Sequence, residues 1–285
     1  MARPADSASA APPVTTTEIL PARGWRLPAL SELWRHADLV YFLAKRDVTV
    51  RYKQTAVGAL WAVLQPLLLA GIFSAFLGQL TDVPSGKTPY ALFALAGMTM
   101  WLFLAGAIGR CSESTLASSE LISKVYFPRI VVPLAAAAAP TVDFAASFVV
   151  LVIVLVVSGH APGPEVLLAP AVFVLALVIA LGIGLWLSAL VVRYRDVSLG
   201  VPFMIMVLLF VTPILYPLSL VPDGYREVYA LNPLVGVLET FRWTVLPDAS
   251  APGTVLLISA ATAVVLFITG LLYFARAEQR FADVI

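Results

Sequence analysis

The sequence predicts an all-α membrane protein, and three observations predict it. Of 285 residues, 60% are hydrophobic and 12% are charged, about half the charged share of a soluble domain. The mean hydropathy is +0.93. Long uncharged runs separate the charged residues, each able to supply the roughly 20 apolar positions that a spanning helix needs. Basic residues then gather on one side of these runs. Backbone polar groups in lipid need internal partners, which only helices or closed barrels supply. Here the runs are continuous instead of alternating, so they read as helices.

This composition excludes a cytosolic enzyme, a disordered protein and a secreted disulfide scaffold. There is too little polar surface to coat a water-soluble globule of this size. The single cysteine, Cys111, cannot form an intrachain bridge.

Taken in order, residues 1–27 are rich in Ala, Pro, Ser and Thr and lack the basic start and apolar core of a signal peptide. They read as a disordered cytoplasmic tail. Residues 28–53 read as an amphipathic interface helix followed by a basic approach segment. Leu30, Leu33, Trp34, Ala37, Val40, Tyr41 and Ala44 recur at helical spacing, and Pro28 suits a first turn. Such a helix lies in the membrane interface or packs on a partner. The transmembrane domain is expected over 54–275, with six spans at about 54–80, 88–109, 131–158, 166–192, 198–216 and 253–275. Residues 276–285 form a second cytoplasmic tail. No internal repeat is visible.

The charges orient these spans. Fifteen of the 18 Lys and Arg precede the first span, bracket the 110–129 connection, follow the fourth span or lie in the tail. Lys87, Arg226 and Arg242 are the three on the other side. The positive-inside rule therefore places both termini in the cytoplasm, as an even number of spans requires.

Between the spans, the 110–129 connection is polar at its start, with room for a short helix over 114–124, and ends on an extended turn at Phe127-Pro128. The 217–247 connection faces outward yet is apolar and broken by prolines around it. It reads as re-entrant or interfacial helices before the last span, tolerated where buried or lining a cavity. Asp143 is the one acid deep inside an expected span. It is either a functional residue or one hydrogen-bonded to a neighbouring helix, and Pro133 and Pro140 predict a kink beside it.

Catalytic motifs fail one after another. Gly86-Lys87-Thr88 imitates the end of a phosphate-binding loop, but position 81 is Thr where the pattern needs Gly. His36 and His160 fall on opposite sides of the membrane, so no metal site is expected. Glu113 and Glu120 have no companion base or nucleophile. The expectation is therefore no catalytic residue and no cofactor in this chain. Three function classes remain: a transport subunit powered by a partner, a secondary transporter, and a membrane-embedded transferase. One midplane acid without repeated halves disfavours the second. The lack of clustered acids for Mg²⁺ disfavours the third.

The segment KRDVTVRYKQTAVGALWAVLQP at 45–66 resembles the leading signature of type-2 ABC permeases that export polysaccharides. LISKVYFPRIVVP at 121–133, RYRDV at 193–197, TPILYP at 212–217, NPLVGVLETFRW at 232–243 and FADVI at 281–285 continue the resemblance in order. It covers the chain from about residue 30 onward. That family includes exporters of O-antigen, capsule and teichoic acid. The resemblance implies a homodimer that binds two copies of a separate ATPase subunit, which holds ATP and Mg²⁺. It implies a lipid-linked glycan as substrate, contact with membrane lipid and no nucleic acid. A permease for a smaller amphipath, such as a drug or lipid, is the alternative. The resemblance further implies an ATPase-coupling role for the connector carrying Glu113, Ser114, Glu120 and Lys124. Arg46, Arg51 and Lys53 become expected contacts of a diphosphate or lipid headgroup. Trp61, Phe73, Phe76, Tyr90 and Trp101 are the expected aromatic lining of the channel, by aromatic stacking on sugar faces.

Overall fold

The computed structural model describes residues 34–53, 58, 60–80, 88–279 and 281. The expected N-terminal tail, the first turns of the expected amphipathic helix, residues 81–87 with Lys87, and the final residues 282–285 lie outside these. Every regular element among the described residues is helical.

Helix α1 spans Ala37–Tyr52, with Asp38 in its first turn and Arg51 in its last. Both charges suit the helix dipole. The sequence pattern placed this helix over 28–45 and treated 46–53 as a basic approach; the helix instead runs through that stretch. Its buried stripe is also narrower than expected. Leu43, Leu39, Val40 and Ala44 pack on Ile122, Phe127, Val131, Val132 and Ala135. Trp34 and Tyr41, expected on the apolar face, are exposed.

Helix α2 spans Leu60–Leu80 and contains Pro66. Proline has no N–H, so it releases the carbonyl four residues earlier, that of Ala62. The Ser147 hydroxyl lies 2.8 Å from this carbonyl and 2.9 Å from that of Asp143. A neighbouring helix thus repairs the break.

Helix α3 spans Tyr90–Ala117 and is the most buried of the long helices. The sequence ended this span at 109, where polar residues begin. The helix continues because those residues find partners within it or beside it. Ser112 donates to the Gly109 carbonyl at 2.7 Å, Ser114 donates to Cys111 at 2.8 Å, and Thr115 pairs with Ser188 at 2.6 Å. Helix α4, Ser119–Lys124, follows after one residue.

Helices α5 (Val131–Ala136) and α6 (Ala138–Val157) form one span interrupted at Ala137, in the region where Pro133 and Pro140 predict a kink. A 3₁₀ turn, Pro164–Leu168, leads into α7, Ala169–Arg193. Helix α8 spans Val197–Val211. A 3₁₀ turn at Leu218–Leu220, α9 (Asp223–Tyr229), α10 (Pro233–Val245) and α11 (Thr254–Glu278) complete the described chain.

Among the described residues, five segments are long and apolar enough to cross a membrane: Leu60–Gly78, Tyr90–Ala117, Val131–Val157, Pro164–Arg193 and Thr254–Glu278. The expected fifth of six, 198–216, is a shorter apolar helix that ends at Val211. Its chain breaks at Thr212-Pro213, where proline stops the ladder.

The core forms where α3 meets α2, α6, α7 and α10. Phe103, Phe144 and Phe173 cluster at its centre with ring centroids 4.8–5.5 Å apart. Helices in lipid gain little from apolar burial alone, so close approach through small residues holds them together. Helices α7 and α11 meet at Gly182 and Gly270, where a Cβ on Gly270 would stand 2.6 Å from the Gly182 carbonyl oxygen.

Candidate functional site

The break after α8 leaves six successive carbonyls, from Phe210 to Leu215, without helical N–H partners. Each has a donor. Tyr216 donates to Phe210 at 3.1 Å, and Tyr229 donates to Val211. The Ile214 N–H returns to Thr212 at 2.7 Å. Arg242 donates to Pro213 at 2.6 Å and to Ile214. Tyr90 donates to Leu215 at 2.7 Å. Irregular backbone at membrane depth persists where it is satisfied in this way.

Arg242 is the centre of this arrangement, with 2% of its surface exposed. Glu239 pairs with it at 2.9 Å, one turn earlier on α10. Asn232 caps that helix by accepting from the Leu234 N–H, and its amide reaches Thr212 at 3.1 Å. The guanidinium also leaves no room opposite. A Cβ on Gly97 would stand 2.7 Å from Arg242 Nη2 and 2.8 Å from the Ile214 oxygen. Sequence reasoning counted Arg242 only as an outward charge. The available signal was an arginine within an otherwise apolar, proline-started helix, one turn after a glutamate.

At the opposite, basic end, Asp143 meets Arg51 at 2.5 Å and accepts from the Tyr52 hydroxyl. The expected deep intramembrane acid therefore lies early in α6, beside the last turn of α1. It lies near the middle of the Val131–Val157 segment, and the pairing fits the second expectation, an acid bonded to a neighbouring helix, with Arg51 as its anchor. Burial, then the neighbouring Asp143, pushes the Tyr52 hydroxyl up to about 12. Arg46 pairs with Asp47 at 2.9 Å on the exposed face of α1, and Lys53 is exposed at its end. The three expected headgroup contacts thus share one helix end, but Arg51 is held by protein.

The expected aromatic lining divides in two. Trp61 and Phe76 on α2 are 54% and 63% exposed, and Phe73 is half-buried against the core. Tyr90 and Trp101 are 8% and 5% exposed. They pack inside the helix bundle because α3 runs through its centre, and Tyr90 is committed to the Leu215 carbonyl.

The connector divides too. Glu113 and Ser114 belong to the continued α3 instead of a separate helix, and the Ser114 hydroxyl is bound to the Cys111 carbonyl. Glu120 and Lys124 lie on α4, exposed and 3.5 Å apart. Beyond them Val125 and Tyr126 are exposed. The connector ends at Arg129, whose N–H donates to Glu278 Oε1 at 2.7 Å and whose guanidinium donates to the Glu278 carbonyl. Its far end is thereby fastened to the last span.

Three curated relatives align over most of both chains. The O-antigen export system permease protein RfbA of Klebsiella pneumoniae is 28% identical over 256 residues, 87% of this chain and 95% of its own. That of Myxococcus xanthus is 27% identical over 262 residues, covering 88% and 97%. The polysialic acid transport protein KpsM of Escherichia coli is 26% identical over 239 residues, covering 82% and 91%. The ABC-2 type transporter family matches residues 38–246, well over half the chain. With its long apolar helices, this multi-pass membrane protein belongs to the ABC-2 type transporter family.

Proposed function

We propose that the chain is the transmembrane subunit of an ATP-driven exporter that moves a lipid-linked polysaccharide outward across the cytoplasmic membrane. The observation that carries this reading is the similarity to polysaccharide-export permeases over more than four-fifths of both chains. In this reading two copies enclose the path and two copies of a separate ATPase bind ATP and Mg²⁺. Both termini face the cytoplasm. Helix α8 and the bonded stretch after it complete a sixth crossing, and α9 and α10 form the outer re-entrant region. The basic excess around α1 and the connector supports that orientation.

The exposed aromatic face of α2, with Trp61, Phe76 and the partly buried Phe73, lines the path and stacks on sugar rings. The path lies between two copies because α3 fills the centre of each one. Helix α4 is the coupling element. It is short and polar, with Glu120 and Lys124 exposed, and its sequel is fastened to the last span through Arg129 and Glu278. Closure of the ATPase dimer pushes α4, and the push reaches α11 directly. Such a step works only if α4 contacts the ATPase differently in the two states.

The test is ATP hydrolysis by the permease–ATPase complex in lipid, with and without a polyprenyl-diphosphate-linked glycan. Stimulation by the glycan and not by short drug-like amphipaths is expected. Stimulation by small amphipaths alone would replace the polysaccharide with a smaller cargo. No complex with any ATPase would remove the reading.

A further inference from the structure

A cavity of about 400 Å³ opens between α1, the basic end of α3 and α5. Leu43, Val132 and Ala135 give it an apolar side, and Arg46, Arg110 and Glu113 line its polar side. The charges differ in state. Arg46 is already paired with Asp47, another lining residue. Arg110 and Glu113 form no ion pair among the described residues, with each other or with anything else. They lie three residues apart on α3, which puts their Cβ atoms about 5–6 Å apart on one helix face.

A free cation and a free anion, held apart on one wall, complement a ligand with opposite charges joined by a short linker. An apolar wall beside them suits a ligand with an acyl tail. On the proposed orientation α1 lies at the cytoplasmic membrane interface, the depth of lipid headgroups. We infer that this groove is a binding site for a zwitterionic phospholipid headgroup, specifically phosphoethanolamine. The phosphate accepts hydrogen bonds from the Arg110 guanidinium, a good match for phosphate geometry. The ammonium donates to the Glu113 carboxylate. The acyl chains run along Leu43, Val132 and Ala135.

The alternatives fit the charges less well. An anionic headgroup without an amine would satisfy Arg110 but leave Glu113 unrelieved. A diphosphate would bring still more negative charge against Glu113. A quaternary ammonium has no N–H to donate to Glu113. The site is separate from the exported cargo, so it stands or falls apart from the transport reading.

The experiment uses the purified permease–ATPase complex in detergent, titrated with phosphatidylethanolamine, phosphatidylcholine or phosphatidylglycerol. Thermal stabilisation and lipid retention in native mass spectrometry are the readouts. Phosphatidylethanolamine is expected to bind best, ahead of the others by about two- to fivefold, the range of a partly exposed ion pair. Glu113→Gln is expected to erase the preference over phosphatidylglycerol, and Arg110→Gln to weaken both lipids. Soluble glycerophosphoethanolamine at high concentration is expected to compete, which assigns the preference to the headgroup. Polyprenyl diphosphate is expected not to compete. Equal binding of the three lipids by the wild-type complex would overturn the proposal, whether or not either variant folds. So would an unchanged preference in both variants, or displacement by polyprenyl diphosphate. Loss of the ATPase from both variants at unchanged lipid preference would make the groove a polypeptide dock instead.

Discussion

The guanidinium carbon of Arg242 stands 3.7 Å from the ring centroid of Phe93, and the same group bonds the Pro213 and Ile214 carbonyls. One side chain thus joins α10, α3 and the break after α8. Without it, two buried carbonyls lose their donors and Glu239 loses its partner. Arg242→Ala is expected to destabilise the protein by about 3–5 kcal/mol, as for a broken buried pair. Arg242→Lys should recover only part of this, because a point charge cannot replace the planar fork. Denaturant unfolding in detergent measures both, and a wild-type midpoint for Arg242→Ala would contradict the assignment.

Ser147 and Pro66 should be coupled. Ser147→Ala leaves the Ala62 carbonyl without a donor, at about 1–3 kcal/mol. Pro66→Ala restores the helical N–H to that carbonyl. The double variant should therefore lose less stability than Ser147→Ala alone. Additive effects in the double-mutant cycle would show that the hydroxyl does not serve the proline break.

Tyr52 sets an alkaline limit on the anchoring of α1. Its hydroxyl is pushed from 10.0 up to about 12, chiefly by burial and then by Asp143. The folded value lies above the unfolded one, so the neutral hydroxyl contributes its full stability below pH 10. That contribution is lost as the pH rises through 12. Wild-type stability should fall more steeply than that of Tyr52→Phe between pH 10 and 12. Parallel curves would remove the link.

Exposure separates the aromatics. Trp101→Ala should cost about 3–5 kcal/mol, as for a large core residue. Trp61→Ala and Phe76→Ala should melt near wild type yet lose glycan-stimulated ATP hydrolysis. Normal stimulation in a folded double variant would take α2 off the path.

Glu120→Lys reverses an exposed charge whose pair with Lys124 contributes at most about 0.5 kcal/mol. Membrane insertion and melting should be unchanged. Export should fall while ATP hydrolysis by the complex continues. Normal export would assign coupling elsewhere.

The long apolar runs were legible because span length and composition are properties of single segments. What failed depends on partners distant in sequence. Asp143 could be read either as a functional acid or as one bonded to a neighbouring helix, because its partners Arg51 and Tyr52 lie some ninety residues away. Helix α3 looked finished at Arg110 because nothing local reveals that Thr115 meets Ser188. Tyr90 and Trp101 looked like the other aromatics because spacing cannot tell a central helix from a peripheral one. The α1 stripe was misplaced for a related reason, since α5 selects which apolar residues it covers. The prolines from Pro213 to Pro233 marked their region as broken, but not that Arg242 binds it together.

Helix α8 has 15 residues, roughly 22 Å of rise, against a hydrocarbon layer of about 30 Å. An apolar segment that short ordinarily thins the surrounding bilayer or tilts its neighbours. Here the chain continues past Val211 as backbone whose carbonyls from Phe210 to Leu215 are already occupied. That stretch can lie at acyl-chain depth without drawing in headgroups or water. In the six-span reading proposed above, the shortfall of α8 is made up by this stretch and not by the surrounding bilayer.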